Sequence, residues 1–128
     1  MAKPIDLQLK KAFIELQVKM VETSKKIQSI DTQIGVLKRL LQHVDITQHE
    51  MGNLPSDTKT YESVGRMFVL KELDQVKLNL RNRQTQLNTR TTELENNKQY
   101  LERNLKESED NIREMVQQKK EQSEKKSN

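Results

Sequence analysis

The apolar side chains in the first third of this chain fall in alternating steps of four and three. Leu9, Phe13, Leu16, Met20, Thr23, Ile27, Ile30, Ile34, Leu37, Leu41 and Val44 form an unbroken series in which only Thr23 is not apolar. A strand would alternate every two residues. A mean step of 3.5 is the heptad spacing of helices that wind around a partner helix. Positions off this seam are mostly Lys, Glu, Gln, Ser and Thr. Asp6–Lys10, Glu15–Lys19 and Glu22–Lys26 are pairs four apart with the acid first. Each such pair supports a helix by ~0.2–0.5 kcal/mol. Pro4 suits a helix start, where the first turn has no N–H partner to lose. Gly35 lies off the seam and costs a helix about 1 kcal/mol relative to Ala. The spacing predicts a helix over about 5–44.

A related pattern occupies the second half. Leu73, Leu80, Leu87, Leu94 and Leu101 are seven apart, and Ser108 and Met115 keep the phase. The companion seam is weaker: Lys77, Gln84, Thr91, Lys98, then Leu105 and Ile112. No Gly or Pro interrupts residues 71–118. One helix is predicted there, roughly 70 Å long at 1.5 Å per residue. Residues 117–128 hold no apolar side chain. A disordered tail is expected from 119 onward.

The helical rhythm breaks at 45–70. Thr47 with Glu50 offers a capping box for a short turn, which Gly52 and Pro55 would close. From Thr58 the period becomes two. Thr58, Thr60, Glu62 and Val64 share one face, and Lys59, Tyr61 and Ser63 the other. After Gly65 come Met67, Phe68, Val69 and Leu70, which are β-prone and apolar. Two short strands around Gly65 make a β-hairpin. A lone hairpin is marginal in water, and its unpaired edge groups invite further strands. Tyr61, Val64, Gly65, Met67, Phe68, Val69 and Leu70 are therefore the expected assembly residues.

The fold class that follows is mainly α: a long antiparallel two-helix coiled coil joined by a β-hairpin that assembles with other subunits. Residues 1–118 form a single domain in this reading. Two registers suit the helices. One faces Phe13 with Leu101, Ile27 with Leu87, Leu41 with Leu73 and Thr23 with Thr91. The other, a heptad away, faces Met20 with Leu101, Ile34 with Leu87 and Phe13 with Ser108.

Composition agrees with a thin seam. Hydrophobic residues make up 32% of the 128, charged residues 33% and aromatic residues 3%. Typical domains have roughly 45–50% apolar residues, Gly included. A chain with so little core material stays disordered or is completed by partners. The mean hydropathy of −0.95 and the lack of a long apolar run exclude a membrane helix. The first residues carry no apolar signal core, and there is no Cys. A non-secreted, cytoplasmic protein is expected.

Several chemistries are set aside. His43 and His49 are six apart, about 240° around a helix, so they share no face for a metal. The carboxylates lie on outward helix faces, and no GxGxxG, P-loop or GxSxG motif occurs. No catalysis, metal or cofactor is expected. A DNA-binding zipper needs a basic helix directly before its leucines, but only Lys71 is basic among the residues just before Leu73. Residues 71–92 hold 5 basic and 2 acidic side chains, and 93–115 hold 4 and 7. That alternation suits solvent or partner helices better than phosphates. Neither nucleic acid nor membrane is an expected partner.

Apolar residues gather at the outer ends of the two helices. Ile5, Leu7, Leu9 and Phe13 begin the first, and Ile112, Met115 and Val116 end the second. An antiparallel pairing brings these ends together, away from the hairpin. Ile5, Leu7 and Val116 lie outside the seams, which leaves a small sticky surface. Met adds an adaptable thioether.

Tyr61-Glu62-Ser63-Val64-Gly65-Arg66-Met67-Phe68-Val69-Leu70 resembles the hairpin signature of the β-class subunits of the prefoldin family. Asp6-Leu7-x-Leu9-Lys10-Lys11-Ala12-Phe13 resembles the start of the subunit-one branch of its eukaryotic members. Tyr100-Leu101-Glu102-Arg103 and Glu109-Asp110-Asn111-Ile112-Arg113-Glu114-Met115 resemble the same branch. The likeness covers about residues 5–118. It implies a hexamer of two α-class and four β-class subunits whose hairpins join into β-barrels, with six coiled coils hanging from that platform. It further implies that apolar tips hold unfolded clients, such as actin and tubulin, for delivery to the cytosolic chaperonin without ATP. An α-class chain would carry a second hairpin, whereas strand pattern occurs here once. No role is carried onto residues 45–56. The alternative is a structural coiled-coil scaffold or tether, which would need only a tight turn where this chain has the hairpin.

Overall fold

In the computed structural model, residues 4–127 are described, with side chains from 7 to 125. The chain runs as helix α1 (Pro4–Gly52), strand β1 (Thr60–Val64), strand β2 (Met67–Lys71) and helix α2 (Leu73–Ser127). It forms two compact units. One joins the α1 segment up to Asp31 with the α2 segment from Asn96, and the other is Thr32–Glu95.

In the first unit, every position of the expected seam is withdrawn from solvent. Leu9, Phe13, Leu16, Met20, Thr23 and Ile27 are half-buried and Ile30 is buried. From α2, Lys98, Leu101, Leu105, Ile112 and Met115 are half-buried and Ser108 is buried. Two polar seam members, Thr23 and Lys98, have partners. Thr23 Oγ1 donates to the Lys19 carbonyl at 2.8 Å, so its hydroxyl is satisfied within its own helix. Lys98 lays its stem along the seam and carries its ammonium to Asp31, 2.6 Å away, and towards Glu102.

In the second unit, Ile34, Val44, Leu73 and Leu94 are buried. Leu37, Leu41, Leu80 and Leu87 are half-buried. Thr91, also buried, donates to the Leu87 carbonyl at 2.8 Å. Gln84 Nε2 reaches across to Asp45 Oδ1 at 2.8 Å.

These cross-helix pairs correct both expected registers. In the first unit Leu101 shares a cavity with Lys26 and Ile30, and Phe13 shares one with Met115. In the second, Leu94 lines a cavity with Leu37. Phe13 with Met115 lies one heptad beyond the register that set Phe13 against Ser108, and the other pairings fall within three residues of that shift. The cause is the length of α1. It continues eight residues past Val44, because Gln48 and Met51 extend the four-three rhythm and are half-buried. Thr47, expected to cap a separate turn, lies inside α1 and donates to the His43 carbonyl at 2.8 Å. His43 and His49 therefore also sit on this helix. Gly52 does end it. Asn53 N–H then bonds the Glu50 carbonyl, and Leu54 N–H bonds that of Met51.

The strands pair antiparallel in one two-stranded sheet, with Val64 opposite Met67, Ser63 opposite Phe68 and Tyr61 opposite Leu70. Gly65 and Arg66 form the turn, and only Gly65 has positive φ, at 61°. A two-residue hairpin turn with positive φ at its first position is the II′ pattern, which favours Gly there. β1 starts at Thr60, two residues later than the period-two pattern does. Thr60 Oγ1 donates to the Lys71 carbonyl at 2.6 Å, and Lys71 pairs with Glu62 on the same face. α2 continues to Ser127, where fraying is expected from composition. Residues 119–127 contain only Lys, Glu, Gln and Ser, with neither Gly nor Pro to stop propagation.

Candidate functional site

Two apolar surfaces stand out, one in each unit. The hairpin carries the first. Phe68 is 74% exposed and Met67 66%. Tyr61, Val64, Val69 and Leu70 are exposed as well. Strand alternation divides them. Tyr61, Phe68 and Leu70 lie on one face, and Val64, Met67 and Val69 on the other. Neither face is covered by another element among the described residues. All the residues expected to serve assembly thus sit on one hairpin, with Gly65 at its turn. Among the described residues the sheet has two strands only, so each strand keeps one edge of backbone groups unpaired within the chain.

The second surface lies where α1 begins and α2 nears its end. Leu9, Phe13, Met115 and Val116 line a cavity of about 150 Å³, together with Lys10 and Lys119. Four of the seven expected tip residues are therefore brought together. Leu7 is 52% exposed and lies outside this lining. Ile112 is half-buried within the seam, one α2 turn earlier. The side chain of Ile5 lies outside the described residues. The two lysines are the part that sequence reasoning missed. Lys119 follows Ile112 by seven and so continues the companion seam, a signal hidden by assigning 119–128 to a tail.

The model of the prefoldin subunit family matches residues 14–119, a span that includes both strands and most of both helices. This chain belongs to the prefoldin subunit family. Prefoldin subunit 1 of Danio rerio is 44% identical over 84 residues, which are 66% of this chain and 69% of that protein. The Homo sapiens prefoldin subunit 1 has the same identity and coverage. The probable prefoldin subunit 1 of Dictyostelium discoideum is 32% identical over 74 residues, 58% of this chain and 64% of its own. The crystal structure of the prefoldin beta subunit from Thermococcus strain KS-1 superposes with a TM-score of 0.75. That match covers 80% of this chain and 90% of the other at 21% identity, and it shows the shared fold. By family, then, the chain is a chaperone subunit with the helix–hairpin–helix architecture of the prefoldin beta subunit. Among the described residues, no helix is long and apolar enough to cross a membrane.

Proposed function

We propose that this chain is one subunit of a hetero-oligomeric, ATP-independent co-chaperone that holds unfolded polypeptides and passes them to the cytosolic chaperonin. The hairpin joins sister α- and β-class subunits, and the cavity lined by Leu9, Phe13, Met115 and Val116 contacts the client. Unfolded actin and tubulin are the clients that the family likeness suggests, and the cytoplasm is the place of action. The observation that carries this reading is the hairpin, whose six large apolar side chains are all exposed. A scaffold or tether needs no such surface between two helices. A chain of this kind gains when the hairpin meets other strands, because burial is worth about 1.5–3 kcal/mol per large apolar side chain.

Two measurements test the reading. Native mass spectrometry of the complex purified from cells should give a six-chain particle of mixed subunits. Reconstituted particles should suppress aggregation of a diluted unfolded protein without nucleotide. Particles carrying Phe13→Ser and Met115→Ser in this subunit should assemble normally and protect less. The loss should be partial, because several tips share each client. Unchanged protection when every subunit's tip is altered in this way overturns the client site. A mass equal to this chain alone, or to pure copies of it, overturns the assembly.

A further inference from the structure

The cavity at the chain-terminal end of the helices is lined by four apolar residues and two lysines. Its volume, about 150 Å³, equals that of an interior cavity able to take up benzene. It is therefore large enough for one phenyl- or isobutyl-sized group. Leu9, Phe13, Met115 and Val116 supply the apolar contact. Lys10 and Lys119 share the lining, and among the described residues no carboxylate does. Glu114 and Glu121, five before and two after Lys119, fall on other sides of α2. Both lysines are exposed, and their flexible stems can bring two ammonium groups to an anion held beside the slot. Lys119 also occupies the seam position after Ile112, where another Leu or Ile would close the two helices over the slot. A lysine there leaves the slot open and charged.

We propose that this slot selects, within a non-native polypeptide, a large apolar side chain flanked by carboxylates. The inference rests on the client reading above and narrows it to a class of segment. The apolar side chain enters between Phe13 and Met115, while the neighbouring Asp or Glu meets Lys10 and Lys119. Lysine is a compact charge on a flexible stem, so the carboxylate can precede or follow the apolar residue. Such selection adds to capture and is not required for it, since exposed ion pairs are individually weak.

The probe is a short synthetic peptide bearing one photoreactive p-benzoylphenylalanine between two aspartates, with a twin in which asparagines replace them. Each is irradiated with the assembled complex, and labelling of this chain is mapped by mass spectrometry. The aspartate peptide should label the segments around Phe13 and Met115 about fivefold more than its twin at low salt. That advantage should shrink at high salt, where exposed charges are screened. The double variant Lys10→Gln with Lys119→Gln should lose the advantage yet keep the asparagine peptide's labelling. Equal labelling by both peptides in the native chain overturns the proposal, as does a preference that survives in the double variant. In either case a client site that takes apolar groups still stands. Labelling of these segments by neither peptide overturns the client reading too.

Discussion

Two glycines show how position decides the effect of one hydrogen-to-methyl change. Gly35 is exposed in the middle of α1, and a Cβ added there would meet nothing within 4 Å. Gly35→Ala should therefore stabilise the helix by about 1 kcal/mol, read as a raised melting temperature with unchanged assembly. Gly65 also has open space where a Cβ would stand, but its φ is +61°. There the obstacle is the backbone, and Gly65→Ala should destabilise the hairpin by about 1–2 kcal/mol. Comparing the thermal melts of both variants checks the pair of signs. Gly65 as a turn residue was legible in the sequence, since a glycine between two β-prone runs has few other uses. The role of Lys119 was not. A lysine among lysines gives no local signal until its seven-residue distance from Ile112 is set against the partner helix.

Among the elements, both seams were legible because the four-three rhythm has no competing explanation, and each of its members is at least half-buried. The register was not legible. Heptads repeat, so sliding one helix by seven restores nearly the same apolar contacts, and only polar partners or the exact end of α1 break the tie. The spacing predicts α1 ending near Val44 because Thr47 with Glu50 reads as the cap of a separate turn; the half-buried Met51 marks the helix's continuation. The Asp45–Gln84 hydrogen bond offers a direct check. The chain has no cysteine of its own. Asp45→Cys with Gln84→Cys should be bridged by a short bis-methanethiosulfonate reagent, seen as a mobility shift reversed by reductant. Asp45→Cys with Lys77→Cys, one heptad away, should not. Seam depth has its own test. Ile34 is 8% exposed and Val36 43%. Ile34→Ala should cost about 2–5 kcal/mol, through lost burial and the void left behind. Val36→Ala should change stability by about 0.5 kcal/mol or less. Similar melting shifts for the two would contradict the seam.

At the scale of the whole molecule, the helices and the hairpin bury their apolar side chains differently. Each helix hides its seam against the other helix, whereas the hairpin hides almost nothing within the chain. Phe68 at 74% exposed and Val69 at 42% lie on opposite faces of the same strand. On the proposed assembly, both faces and both edges are completed by sister subunits, so the two residues probe separate contacts. Phe68→Asp puts a charge on the face shared with Tyr61 and Leu70. Val69→Lys does the same on the face shared with Val64 and Met67. Neither side chain belongs to a helix seam, so the helical circular-dichroism signal of the isolated chain should stay nearly unchanged. Burial of each native side chain is worth about 1.5–3 kcal/mol, and an unpaired charge buried in its place adds a further penalty. Mixed with sister subunits, both variants should elute as unassembled chain in size-exclusion chromatography, while the native chain elutes in the complex. If one variant enters the complex normally, the face it marks remains open in the particle. If both enter, the hairpin is not the assembly element, and the apolar surface it presents must serve some other contact.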